Sequence, residues 1–202
     1  MNYLVHLYLS DAEPGCLVGT LMGDFVKGQI DHRIPKAFRK GLWLHRQVDV
    51  FAHGNPHFLQ SKRRIDDSFR YFKPVLVDIF YDHFLARDWS LYSPVPLEKF
   101  ASDIYRLLEK NFSILPAGLQ EVAPRMIRHN WLVSYSEEDI IERVFERLAR
   151  RLSRPNPLAN GGDELRRNYE GLRGDFQEFL TEAGDFIAGL LREKNVPGEK
   201  DR

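Results

Sequence analysis

The sequence predicts an all-α protein, a multi-helix bundle of many short helices. Apolar residues recur at helical spacing, as in Leu97, Phe100, Ile104, Leu107 and Leu108. Glycine and proline separate such segments at short intervals, and neither strand-like alternation nor an internal repeat stands out. A chain of 202 residues, 43% hydrophobic and 29% charged, suits one globular domain with its own core.

In chain order, residues 3–9 are apolar around His6 and read as a helix or a short extended start. Pro14-Gly15 breaks the chain, and residues 16–27 read as a helix in which Gly19 and Gly23 permit close packing. Gly28 and Pro35 bound a loop. Residues 36–53 place Phe38, Leu42, His45, Val48 and Asp49 at helical spacing, with His45 and Asp49 an i,i+4 pair. Gly54-Asn55-Pro56 ends that helix, and residues 57–71 read as the next. Pro74 opens a helix running to about Asp88 or Ser90. Residues 97–112 form an amphipathic helix, and residues 119–133 another. Ser136 reads as an N-cap ahead of Glu137, Glu138 and Asp139. Pro155, Pro157, Gly161 and Gly162 mark a loop. A long terminal helix over 163–194 follows, with Gly171, Gly174 and Gly184 as candidate breaks. One domain over 1–195 is expected, with 196–202 a frayed tail.

Composition excludes several classes. The lone Cys16 leaves no internal disulfide and no cysteine-based zinc site, which fits a reducing, cytoplasmic setting. No apolar run is long enough to span a bilayer, and the opening MNYLVHLYLS lacks the basic start of a signal peptide. Net charge is zero, yet the charges are segregated. Between Lys27 and Lys73 eleven basic residues face only four aspartates. Such a face suits an acidic partner or a phosphorylated substrate. Zero net charge and the lack of a recognised motif argue against nucleic acid.

The segment Leu76–Ala86, LVDIFYDHFLA, poses the chemical question. As a helix it is apolar over most of its circumference, yet Asp78 and Asp82 lie one turn apart on one face and His83 about 100° from Asp82. Two carboxylates in apolar surroundings need a proton, a basic partner or a metal cation. His6, Asp24, His45 and Asp49 also interrupt apolar faces. Imidazole and carboxylate are ligand types for Mn²⁺, Fe²⁺ or Mg²⁺, and a helical bundle can project them into one pocket. His32, His53, His57 and His129 read as surface residues.

Several separated stretches, in order, resemble the acyl carrier protein phosphodiesterase family: MNYLVHLYLS, GDFVKG, LHRQVDVF, DIFYDHFLARDWS and HNWLVSY. The resemblance implies a helical, atypical relative of the HD-type metal phosphohydrolases. The implied reaction is Mn²⁺-dependent hydrolysis of holo-acyl carrier protein to the apo form and 4′-phosphopantetheine, with no membrane or nucleic-acid partner. The usual His-Asp dipeptide of HD proteins is absent here, and its nearest equivalent is the reversed Asp82-His83. Within the matching motifs, Asp24, Asp78 and Asp82 are expected first as metal ligands, with Asp49 and His6 beside them. His45 and His83 are expected as ligands or acid/base groups, and Arg46 as a holder of the phosphodiester. Arg33, Lys36, Arg39, Lys40, Lys62, Arg63 and Arg64 are expected to meet the acidic carrier protein. Mg²⁺ or Fe²⁺ could replace Mn²⁺, and an HD-like phosphohydrolase of nucleotides or another small phosphoester is the alternative reading.

Overall fold

The computed structural model describes residues 2–193. Among them lie ten α-helices and no strand, so the expected all-α class holds. The helices are α1 (Tyr3–Tyr8), α2 (Pro14–Leu21), α3 (Lys36–Gly54), α4 (Pro56–Arg64), α5 (Lys73–Arg87), α6 (Leu97–Lys110), α7 (Ala117–Arg128), α8 (Trp131–Ser134), α9 (Glu138–Arg151) and α10 (Gly161–Arg192). None is long and apolar enough to cross a membrane. The expected tail lies outside the described residues.

The central element is α5. It is buried continuously from Ile79 to Ala86, including Asp82 and His83, and packs against α1, α4, α9 and α10. Its aromatic side chains make the core. Tyr81 lies 5.3 Å from Phe176 and 5.2 Å from Phe179 of α10, and Phe84 lies 5.8 Å from Phe176. A buried phenylalanine of this kind contributes about 3–5 kcal/mol when judged by truncation to alanine. A polar network crosses the same layer: Ser61 Oγ is 3.0 Å from the Tyr81 hydroxyl and donates to Asp175, while the Arg64 guanidinium also donates to Asp175. Arg64, expected at a docking face, is therefore committed to joining α4 to α10.

The pair α2–α3 packs backbone against backbone. A Cβ on Gly19 would sit 2.0 Å from the Phe38 carbonyl oxygen, and one on Gly41 would sit 1.9 Å from that of Cys16. Only glycine at these crossings lets the axes approach so closely.

Several expected boundaries shift. The second helix starts at Pro14, whose missing N–H costs nothing at a first turn, with Glu13 accepting from the Gly15 and Cys16 amides; it ends at Leu21 rather than 27. The expected helix over 57–71 stops at Arg64 and gives way to a 3₁₀ segment over Asp67–Phe72. The helix over 119–133 divides because Asn130 adopts φ 46°, a left-handed conformation that asparagine tolerates. Ser136 makes no cap to α9. The last helix begins already at Gly161 and runs unbroken past Gly171, Gly174 and Gly184, because its buried face outweighs the propensity cost of roughly 1 kcal/mol per glycine.

The first helix is only six residues long and Asn2 provides no side-chain cap. Its first-turn amides are met instead from α5: Leu4 N–H and Val5 N–H each donate to a different oxygen of Asp82, both at 2.9 Å. Such a short helix has little stability of its own. Replacing Asp82 with alanine leaves two buried amides unpaired, so we expect a loss of about 2–4 kcal/mol in urea unfolding. A loss within ~0.5 kcal/mol, the range of ordinary surface substitutions, rules out this anchoring role.

Candidate metal centre

Three segments converge beside the N-terminal half of α5. Helix α1 supplies His6, helix α3 supplies His45 and Asp49, and the turn after α2 supplies Asp24. The i,i+4 spacing in α3 puts His45 and Asp49 on one face, with His45 Nε2 3.4 Å from Asp49 Oδ2. His6 stacks on His45 with ring centroids 3.7 Å apart and planes 6° from parallel. Its Nε2 lies 3.3 Å from the other Asp49 oxygen. Asp24 Oδ1 closes the group 3.7 Å from His45 Nε2.

The tautomer of His45 follows from its other nitrogen. Nδ1 lies 2.9 Å from the Thr20 carbonyl oxygen, which can only accept, so Nδ1 carries a hydrogen. In the neutral ring, Nε2 then presents a lone pair toward the two carboxylates. That orientation is stable if the ring gains a proton or if a cation sits among the three groups. Burial disfavours the charged ring, but hydrogen bonds and charges from Asp24 and Asp49 outweigh it and raise the His45 pKa. His6 behaves oppositely. Burial, only partly offset by Asp49, lowers its pKa to about 3, so this ring is neutral at ordinary pH. His6 Nδ1 is buried without a hydrogen-bond partner, and Nε2 has only the Asp49 oxygen nearby, short of a well-formed hydrogen bond. Burial works against ionised Asp49, yet the two imidazoles hold its pKa well below the usual carboxylate range.

Atoms of His6, His45 and Asp49 all lie within 4.8 Å of one another, close enough to share one ion. Two imidazoles and a carboxylate are a donor set suited to a divalent transition-metal cation. Asp24 is the most exposed of the four, with 46% of its side chain accessible, and so faces solvent. Gly23 gives the room: a Cβ there would lie 2.2–2.4 Å from atoms of the His45 ring.

The other expected site residues fall elsewhere. Asp78 is half-buried and lies within electrostatic range of Asp49 and Asp24; burial first, and then their charge, raise its pKa. Asp82 spends both oxygens on α1, and burial pushes its carboxyl up to about 7 against the pull of those amides. Its counter-charge is thus the positive end of a helix, a partner the sequence did not suggest. His83 turns away from Asp82. Its Nδ1 donates to the Tyr135 carbonyl at 2.8 Å and its Nε2 lies 3.1 Å from the Tyr169 hydroxyl. Arg46 donates to the Val26 carbonyl at 2.9 Å, which holds the loop that carries Asp24. Among the expected docking residues, Arg33 pairs with Asp31, Lys40 with Asp11 at 2.6 Å, and Lys62 lies over the Phe58 ring, whereas Lys36 and Arg63 are exposed and Arg39 is half-buried.

Sequence reasoning missed Thr20 and read Gly23 as a close-packing residue without linking it to His45. Thr20 acts through its carbonyl, which no side-chain pattern reveals. Gly23 had a signal, a small residue directly before Asp24 at the end of an apolar helix.

The chain matches the family model described as acyl carrier protein phosphodiesterase over residues 1–183. A relative named acyl carrier protein phosphodiesterase from Photorhabdus laumondii subsp. laumondii is 30% identical over 89% of this chain and 91% of its own length. One of the same name from Escherichia coli K12 is 32% identical over 89% of this chain and 93% of its own. No solved structure matches. With a family model covering residues 1–183 and the two relatives in agreement, the chain belongs to the acyl carrier protein phosphodiesterase family.

Proposed function

We propose that this protein hydrolyses the serine phosphodiester of holo-acyl carrier protein, releasing apo-acyl carrier protein and 4′-phosphopantetheine. The observation that carries the reading is the convergence of His6, His45 and Asp49 beside Asp24, in a chain whose relatives are named for that substrate. In this reading His6, His45 and Asp49 hold a divalent cation, Mn²⁺ first, and Asp24 stands beside it as the base. Such an ion supplies polarisation of a phosphoryl oxygen and a lowered pKa for bound water.

The residues of the chain do the rest. Thr20 fixes the His45 ring so that Nε2 faces the carboxylates. Asp24, half-exposed and ionised, is placed to take a proton from the attacking water. Water oxygen bonds to phosphorus, the bond from phosphorus to the serine oxygen breaks, and the proton ends on that serine oxygen. Expected roles for Asp82 and His83 in this chemistry give way to structural ones, given the partners that already use their polar atoms. Lys36 and Arg63, both exposed, would steer an acidic carrier, while Arg33 is partly neutralised by Asp31. A cytoplasmic setting accords with this substrate.

Asp49→Asn and His45→Ala are each expected to lower turnover of holo-acyl carrier protein by about a hundredfold or more with helicity by circular dichroism unchanged. Product release is read by mass spectrometry, beside a nucleotide panel that should remain uncleaved. Full activity in both variants discards the cluster as the site.

Chelation is expected to abolish turnover and Mn²⁺ to restore it. Unchanged activity in protein confirmed free of metal by elemental analysis rejects metal dependence.

Gly23→Ala tests the geometry more finely. Its methyl group must displace the His45 ring, so Mn²⁺ affinity by calorimetry should fall about tenfold or more. Wild-type affinity in that variant contradicts the position assigned to the ring.

A further inference from the structure

A cavity of about 580 Å³ opens between the start of α1, the N-terminal half of α5, and α7 to α9. That volume lies within the roughly 300–1,000 Å³ of small-molecule sites. One wall is apolar, formed by Ile79, Trp131 and Leu148. Around it stand Arg147 and Arg151, Arg125 and Arg150, which pair with Glu121 and Glu146, and His129, the last expected from sequence to be an ordinary surface residue. Asp78 is the single carboxylate in the lining.

The cavity lies near the metal centre, although His6, Asp24, His45 and Asp49 are not among its lining residues. Asp78 lines it and feels the charges of Asp24 and Asp49. Tyr3 also lines it and lies in electrostatic range of both Asp24 and Arg151. A ligand spanning the metal centre and the cavity would place negative charge near the arginines and an uncharged, partly apolar chain along the wall.

We propose that this cavity holds the pantetheine arm of the substrate. The inference rests on the reading of the chain as a hydrolase of holo-acyl carrier protein. That substrate carries a phosphodiester from which a flexible, amide-linked, uncharged arm extends. The cleaved bond must lie at the centre, so the arm needs an adjoining slot of mixed character, and the arginines hold the negative charge where the arm enters. Specificity for this diester over a simple one then comes from the wall of α8 and α9 rather than from the metal ligands.

The test uses the full chain and free pantetheine, which has the arm but no phosphate and so does not depend on metal affinity for phosphate. Pantetheine is expected to compete with holo-acyl carrier protein in the wild type. Leu148→Trp, at a half-buried position, should fill the slot. It should raise KM about tenfold or more with kcat nearly unchanged, and abolish the competition. A pantetheine analogue bearing a diazirine should label residues of α8 or α9 in the wild type, a readout that stands even if the variant folds poorly. Active wild-type enzyme with no competition by pantetheine, or with labelling confined to other helices, overturns the cavity assignment alone. Wild-type protein that releases no 4′-phosphopantetheine from holo-acyl carrier protein overturns the functional reading and this inference with it.

Discussion

The hydrogen bonds from Leu4 and Val5 to Asp82 are the constraint on which the site depends. They join the shortest of the site's helices to the most deeply buried one. Without them α1 is a single turn and a half with too few internal hydrogen bonds to persist. With them, its axis is fixed and His6 projects from its far side onto the ring of His45. A buried carboxylate is costly alone, and a helix N-terminus has unpaired amides; each supplies what the other lacks.

A second constraint comes from small residues. Gly19 and Gly41 let α2 and α3 touch along their backbones, and Gly23 leaves space for an imidazole where any Cβ would collide. That contact also brings the Thr20 carbonyl within reach of His45 Nδ1. The hydrogen bond does more than hold the ring: it selects which nitrogen is left to bind. The site is thus assembled by packing first and by chemistry second. Neutral His6, fixed His45 and ionised Asp49 are poised to share one positive charge.

Much of the helical pattern was legible from residues alone. Apolar spacing gave α3, α5, α6 and α9 within a few residues, because an amphipathic face repeats along the chain and does not depend on partners. The errors have local causes. Asn130 takes a left-handed turn inside an apolar stretch, and the glycines of α10 sit in a helix whose buried face sustains it. In the site, the i,i+4 pair His45 and Asp49 and the apolar settings of His6 and Asp24 were visible as residue types out of place. Asp82 and His83 were equally out of place, yet each is satisfied by backbone or hydroxyl partners far along the chain.

The sequence by itself determined the all-α class, the family, and the set of polar side chains that had to be buried. It did so because hydrophobic periodicity and residue chemistry are properties of the chain. Only the tertiary structure decided how those side chains were satisfied. It sent the α5 aspartate at position 82 to a helix end and gathered His6, His45 and Asp49 around one point. The physical reason is that a buried polar group takes whichever partner packing delivers, and backbone amides 77 and 78 residues away leave no mark in the local sequence.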